Sequence, residues 1–593
     1  MTELSKVHGS KASADRLKKR RAAEWRLKAY GIAAIAFAGA ALVILLSSVV
    51  LNARFAITET YINAEITIPQ EVDPGNTRDP EVIGQARFAN IVRDEFRDMF
   101  PYVSGRSNRR ELSDLYSSGA VFELRDYVME NPEVVGDRIE FEFVASDVTD
   151  LYMKGAFGTL EPQDNSIDIT LDFIGDDTVE IVADAPIFSG MQALVRQDLV
   201  KLADRRLEEA GRQDAGVIEF ERRASVAETE EERALNQATA DARAVERDRL
   251  RAEADDLMNR SRDPSGFEQV LETNPSVYMD VNEGWLRITG VGTNTATAEI
   301  VVPMAERITD PASYSYYINE VPQQQRPISD QKIIWIEELR DAGAIETKLN
   351  WRFFQAADST QPELAGVWGA IVGSFWTLIV TATLAVPIGV LAAVYLEEFA
   401  PKNRVTDFIE VNINNLAAVP SIVFGLLGVS ILFALLQLTG QDFRQTPIIG
   451  GIVLALMSLP TIIIASRASI RAVPPSIRDA ALGLGASKLQ STFHHVLPLA
   501  LPGILTGTII AMAQALGETA PLILVGLVAF ITEAPTGPTD SSTVLPVIVF
   551  SWSGNPERAF EAKTAAAICV LLLFLIIMNA LAVFLRKRFE RRW

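Results

Sequence analysis

Six apolar stretches, near residues 29–51, 367–395, 412–438, 447–466, 499–530 and 564–585, constrain this chain more than any other feature. Each is long enough for the roughly 20 residues a helix needs to cross a bilayer. In hydrocarbon every backbone N–H and C=O must find a partner within the protein, so the expected fold class is an all-α polytopic membrane protein with six spans. Between the first span and the other five lies a polar block, 52–365, with 32 basic against 61 acidic residues. The flanks differ: residues 1–51 carry 9 basic against 3 acidic, and residues 366–593 carry 14 against 12. The net charge of -21 is therefore segregated into one soluble block held between apolar, mildly basic ends.

Basic residues orient the spans, because they are retained on the cytoplasmic side. Lys18, Lys19, Arg20, Arg21, Arg26 and Lys28 precede the first span, and Arg586, Lys587, Arg588, Arg591 and Arg592 follow the last. Both ends are expected in the cytoplasm, as an even number of spans requires. Lys402, Arg404, Arg467, Arg471, Arg478 and Lys488 then lie inside, while the outer loops hold only Arg444, Arg558 and Lys563. The expected domains are a cytoplasmic basic tail (1–28), a first span (29–51), an inserted extracytoplasmic α+β domain (52–365) and a five-helix membrane domain (366–593). The first apolar run is longer than that of a signal peptide and no small-residue cleavage pattern follows, so it reads as an uncleaved anchor. An acidic soluble block argues against a nucleic-acid partner, which demands basic clusters. Cys569, the single cysteine, falls within an apolar run, so the outer block must be stabilised by burial rather than by disulfides.

In the outer block Ile139, Phe141 and Phe143 alternate with Glu140 and Glu142, and Ile167, Ile169, Leu171 and Phe173 repeat the pattern, as in half-buried strands. Strands are also expected at Trp285–Thr289 and Thr297–Val302, and loops at Asp310-Pro311 and Gln323–Pro327. Residues 191–210 and 217–261 are rich in Glu, Arg and Ala and free of Pro, predicting two helices. The second would be about 65 Å long and solvated, with one narrow seam at Phe220, Ala227, Leu235, Ala238, Ala242 and Val245. No catalytic constellation, cofactor motif or metal set is readable. The three histidines (His8, His494, His495) lack zinc-type spacing, and Gly290-Val291-Gly292 reads as a strand turn. There is no Gly-x-x-x-x-Gly-Lys-Ser/Thr loop, so the chain carries no phosphate-cradling ATPase site of that kind.

The chemistry concentrates in two polar interruptions of the C-terminal part. The first, within a loop at 467–497, contains Ser476, Asp479, Ala480, Ala481, Gly485, Leu497 and Pro498. Pro474-Pro475 should end the preceding span, Ser476 and Asp479 have N-cap spacing, and Gly485 should break a short helix. Two alanines keep that helix slim enough to enter a groove in a partner. The second interruption is Gly517-Glu518-Thr519-Ala520-Pro521, and a related element is Val419-Pro420-Ser421-Ile422-Val423-Phe424-Gly425. Pro420 and Pro521 are each expected to free a carbonyl inside a membrane helix, which is tolerated only beside protein or a wet cavity. Ser421 and Thr519 would add hydroxyls, and Glu518 would place a carboxylate near mid-membrane, where it is costly and by default functional.

The first interruption resembles the coupling loop of ABC-importer permeases, with Asp479 for the usual Glu and His495 at a position usually Ile, which should weaken the apolar seat there. The second resembles the Gly-Glu-Thr-Ala-Pro signature of the PstA family of phosphate permeases. Thr377–Thr383, Pro387-Ile388-Gly389 and Tyr395-Leu396-Glu397-Glu398 are similar to that family as well, and the resemblance extends over 366–593. It implies a type I ABC-permease fold and a subunit that is not itself an enzyme. The implied partners are a second phosphate permease, two ABC ATPase subunits gripping 476–497, a periplasmic phosphate-binding protein, inorganic phosphate and membrane lipid. Some members carry an Arg four residues before the signature Glu, where this chain has Gln514. Glu518 could accept the hydroxyl of hydrogen phosphate, which sulfate lacks, or could pair with an arginine of the partner permease. Two alternatives stay open: an ABC permease for another oxyanion, and a membrane-anchored sensor or scaffold using the outer domain.

Overall fold

The computed structural model describes residues 11–589 apart from 164–166, 265, 310–313, 441 and 529. His8, Asp310-Pro311, Arg591 and Arg592 lie outside the described residues. The chain forms two units, one of Thr60–Thr347 and one of Met1–Glu59 with Lys348–Trp593. Helix α1 (Lys11–Ile57) carries the first span and runs to the edge of the outer unit in sequence.

Among the described residues, the unit of Thr60–Thr347, the outer unit by its expected location, is built on two sheets. In the smaller, the strands follow the order Ile345–Leu349, Thr58–Thr67, Arg138–Val144, the last two antiparallel with Ala64 opposite Phe141. The expected alternation is present: Ile139, Phe141 and Phe143 are the sheltered side and Arg138, Glu140 and Glu142 the exposed one. Phe96 packs edge-on against Phe143, and Phe100 lies tilted against Trp335, all fully buried. The larger sheet runs Glu161–Gln163, Tyr314–Asn319, Ser276–Val281, Gly284–Val291, Thr295–Val302, Thr178–Ala183, Ile169–Phe173, with antiparallel neighbours throughout. Its core includes Leu171, Ile181, Val195, Met279 and Leu286. Gly290 lies at a register shift, where a Cβ would come within 2.6 Å of the Phe267 ring, so the glycine pair marks a bulge and strand end.

The single long helix expected at 217–261 is instead the distal half of a hairpin. Helix α2 (Ser189–Val226) and helix α3 (Glu230–Arg262) are joined by a three-residue turn. Thr229 caps α3 by accepting the N–H of Glu232, and Glu230, Glu231 and Glu232 suit the positive helix start. The cap signal Thr-x-x-Glu was in the sequence but was masked by helix-forming residues on both sides. The seam is narrow, as expected, but lies elsewhere: Ala203, Ala210, Val217 and Ala224, seven apart, with Ala240, Leu250 and Ala254 also buried. Leu235 and Val245 are exposed. Arg247 pairs with Asp214 at 2.9 Å and Arg206 with Glu253 at 3.4 Å, fixing the antiparallel register.

Among the described residues, five helices of the membrane unit are long and apolar enough to span: Arg20–Ile57, Trp368–Phe399, Pro447–Arg471, Lys488–Leu516 and Arg558–Arg588. The third expected span, 412–438, is not one straight helix. It divides into Arg404–Ala417 and Ser421–Leu435, bent by 104° at the break, and counts as a sixth span only if the pair is taken together. The fifth expected span, 499–530, ends at Leu516. The reason is local. Pro521 lacks the N–H to continue a ladder and disfavours helical backbone before it, and Gly517 already turns the chain. Pro502, expected to interrupt this span, is accommodated within a continuous helix, where Thr506 Oγ1 donates to its carbonyl at 2.7 Å. Small residues draw the spans together: a Cβ on Gly451 would lie 2.5 Å from Val380, and one on Gly507 2.2 Å from Ala465.

Tyrosine–carboxylate pairs fasten one helix into the outer unit. Helix α4 (Asp330–Asp341) receives hydrogen bonds from Tyr278 to Asp330 and from Tyr152 to Glu337, both at 2.6 Å, and from Tyr102 to Glu338. Burial pushes the Glu337 and Glu338 carboxyls up, more than the tyrosine hydrogen bonds hold them down. An acid raised in the folded state favours folding most below the ordinary carboxylate range, and that contribution is lost as pH rises through the raised value. Amide protection across 330–341 is therefore expected to fall through these groups as pH rises above the ordinary carboxylate range, after correction for intrinsic exchange. Glu338→Gln, which keeps an acceptor for Tyr102, should flatten part of that dependence; an unchanged pH profile would count against the assignment.

Candidate coupling and translocation site

The coupling turn begins where helix α5 (Trp368–Val394), helix α6 (Arg404–Ala417), helix α7 (Ser421–Thr439) and helix α8 (Pro447–Arg471) have been laid down. Helix α9 (Pro475–Gly483) follows, with Pro475 in its first turn, where the missing N–H has no ladder partner to lose. Ser476 does not cap it: the cap position is Pro474, no side chain caps, and Ser476 lies inside the helix. The expectation failed because the two prolines start the helix two residues earlier than Ser476 would. Asp479 and Ala480 are exposed, whereas Ala481 is buried within its own chain. Gly485 stops the helix at φ +90°; its N–H donates to Leu482 O at 2.9 Å and that of Ala486 to Ala481 O at 3.1 Å. That is the paired closure in which a left-handed residue satisfies the last carbonyls.

The return segment carries a cap that was not read from the sequence. Ser487 and Gln490 form a reciprocal capping box before Lys488–Ser491, with the Ser-x-x-Gln spacing as its signal. A π turn, Thr492–Val496, then feeds into helix α10 (Leu497–Leu516), which places Leu497 and Pro498 in its first turn. The extra residue of the π turn rotates the face, so Val496 is fully buried while His495 points out. The apolar seat expected to suffer from His495 is thus filled by its neighbour. A cleft of about 800 Å³ lies beside the turn, lined by Ser469, Val473, Ile477, Ala481, His494 and His495 among others.

An ion-pair cluster braces this turn. Arg478, on α9, donates to Glu398 Oε1 at 2.8 and 2.9 Å, to Val473 O at 2.7 Å and to Ile470 O at 2.8 Å. Glu397 accepts from Arg467 and from Arg471, each at 2.8 Å, and Arg467 reaches Glu410 at 2.9 Å. Sequence reasoning used these arginines only to orient the spans and quoted the glutamates only as part of a resemblance. The signal available was two adjacent acids ending one span and an Arg pair four apart ending another, which is legible only once α5 and α8 are known to be neighbours.

The second and third elements come together. Neither Pro420 nor Pro521 sits inside a helix; each stands at a helix start, Pro420 just before α7 and Pro521 in the first turn of helix α11 (Ala520–Leu524). The expected freed carbonyls are replaced by a break in the chain direction at each site. Gly425 packs on the second break: a Cβ there would come within 2.8 Å of Pro521 Cα and of Leu524. Phe424, Leu522 and Val525 share one buried cluster. Gly526, at φ +94°, closes α11, its N–H reaching Ile523 O and that of Leu527 reaching Leu522 O. Ser421, Glu518 and Thr519 are half-exposed, and among the described residues Glu518 makes no ion pair within the chain. Gly517 and Gln514 add no charge beside it. Among the described residues no group of three or more potential metal ligands occurs.

An apolar multi-helix unit interrupted by a short helix that Arg–Glu pairs brace is the arrangement to be compared with known proteins. Residues 385–591 match the family described as binding-protein-dependent transport system inner membrane component, and residues 14–162 match a domain of unknown function, DUF3333. The chain is 32% identical over 265 residues to the phosphate transport system permease protein PstA 1 of Mycobacterium tuberculosis, covering 44% of this chain and 83% of that protein. It is 34% identical over 177 residues to the probable ABC transporter permease protein YqgI of Bacillus subtilis, covering 30% of this chain and 58% of that one. An inward-facing form of the MetNI methionine ABC transporter aligns with 38% of this chain and 98% of its own, at 17% identity and a TM-score of 0.31. The chain belongs to the PstA family of ABC-importer permeases. It is a multi-pass membrane protein with the type I permease fold, and ATP hydrolysis resides on a separate subunit.

Gly485 meets open space on every side of a built Cβ, so a substitution there is strained by backbone alone. Gly485→Ala should weaken the turn by about 1–2 kcal/mol and Gly485→Asn by less, since Asn visits this backbone region more readily. Amide exchange at Ala486 reads the effect directly, and equal protection in both variants and the parent would refute it.

Proposed function

We propose that this chain is the PstA-type permease of an ATP-driven phosphate importer and forms half of its translocation path. The observation that carries the reading is the meeting of the two phosphate-type elements, with Gly425 seated on Pro521. Around them Ser421, Glu518 and Thr519 are half-exposed, and Glu518 has no counter-charge in its own chain among the described residues. A second, distinct permease would complete the path. Two ATPase subunits would hold the loop at 476–497, with Asp479 and Ala480 on the contact face and Ala481 anchoring the helix to its own chain. A periplasmic phosphate-binding protein would deliver the solute.

The domain limits and orientation belong to this proposal. Both termini would be cytoplasmic and 52–365 periplasmic. Lys402, Arg404, Arg467, Arg471, Arg478 and Lys488 support it, since they gather at the coupling-turn ends of the spans. Glu518 would pair with an arginine of the second permease, because an ionised side chain at that depth needs a partner. The discriminating role toward phosphate is the second reading.

The test is uptake of radiolabelled phosphate in cells lacking their own high-affinity permease pair and carrying this chain with its partners. Uptake is expected with the intact chain and is expected to fall at least about tenfold with Gly485→Trp, whose bulk projects outward from a strained turn. No uptake by an assembled complex would redirect the reading to other oxyanions. With Glu518→Gln, unchanged exclusion of sulfate alongside intact transport would remove the discriminating role.

A further inference from the structure

We infer that the Arg467–Glu410 pair is a positioning contact that carries movement of the coupling helix into the bent helices α6 and α7; this rests on the importer reading above. Arg478 joins α9 to the end of α8 and, through Glu398, to the π turn Tyr395–Phe399 that follows α5. Glu397, the adjacent residue of that turn, takes Arg467 by its Nε, and the same guanidinium extends an Nη to Glu410 on α6. A planar fork can hold two carboxylates at once, which a lysine ammonium on a flexible stem does less well.

Helix α6 depends on this contact to an unusual degree. None of its residues is buried. Ile413 touches the apolar cluster of Val473 and Val496, and among the described residues Arg467–Glu410 is the single ion pair between α6 and another helix. Beyond α6 the chain turns by 104° into α7, whose Gly425 rests on Pro521 beside Glu518. The coupling helix, the two glutamates of the π turn, Arg467, Glu410 and the bend thus form a contiguous set of contacts. Contiguity alone does not establish transmission; a change of state read at the far end does.

The experiment uses the full complex in proteoliposomes, with Ala418→Cys at the exposed bend in a Cys569→Ser background. Labelling of that cysteine by a charged maleimide is compared between nucleotide-free and vanadate-trapped complex, a readout that does not depend on which solute moves. The intact relay is expected to change the labelling rate at least about twofold on trapping. Glu410→Gln, and Arg467→Lys as a second variant that keeps the charge, should abolish that change while ATP hydrolysis persists and solute moved per ATP falls at least about twofold. An unaltered labelling change in either assembled variant would overturn the inference. So would parallel loss of hydrolysis and labelling, which would place both residues in ATPase docking. Labelling that responds normally while phosphate is not transported would instead refute the phosphate reading and leave the relay standing.

Discussion

A helix that ends leaves up to four carbonyls without intrahelical partners, and other groups of the chain can take them. Most of what gives the membrane unit its shape follows from how those ends are closed. Arg478 closes α8 with two charge-assisted bonds to Ile470 and Val473, then spends the rest of its fork on Glu398. The buried ammonium of Lys563 does the same elsewhere, donating to Glu363 O at 3.1 Å and Ala365 O at 2.8 Å. Gly485 and Gly526 close their helices by backbone alone. Two closures are electrostatic and two conformational, and all four sit where the chain must change direction.

The electrostatic closure at Arg478 has a consequence for force. Glu398 and Arg478 are largely sheltered, with side chains 9% and 22% exposed, so removing one partner would strand a charge at a penalty of about 3–5 kcal/mol. A surface pair would contribute far less. Helix α9 is therefore not a knob on a flexible loop. It is pinned on its inner side by Ala481 and Arg478 and presents Asp479 and Ala480 outward. In the proposed importer, residues facing out and a stiff anchor facing in would let a pull on the helix reach the spans.

The apolar lengths made the spans legible, and the alternation at 139–143 made the strand legible, because both patterns express burial residue by residue. The turn at 227–229 was written in the sequence as a cap but was outweighed by the long run of helix formers around it. Ser476 was misread because cap spacing and a double proline compete for the same helix start, and proline prevailed through its fixed φ. The bend at 418–420 could not be seen, since its apolar residues continue on both sides and only the packing of Gly425 on Pro521 reveals why the chain must turn. The Arg–Glu cluster was invisible for a simpler reason: its members are 57 to 80 residues apart, as in Arg467–Glu410 and Arg478–Glu398, and periodicity carries no information at that range.

The placement of prolines divides the spans into those that transmit and those that yield. Pro387, Pro460 and Pro502 lie inside helices that stay continuous. Pro420 and Pro521 stand at helix starts, where the direction of the chain has already changed. The two yielding points touch, because Gly425 admits no side chain between α7 and Pro521. Motion at one break must therefore displace the other. The signature residues Gly517 to Pro521 and the bend after Ala417 would then behave as one hinge, and the uncovered side chains of Ser421, Glu518 and Thr519 are the groups that hinge would carry toward or away from a solute.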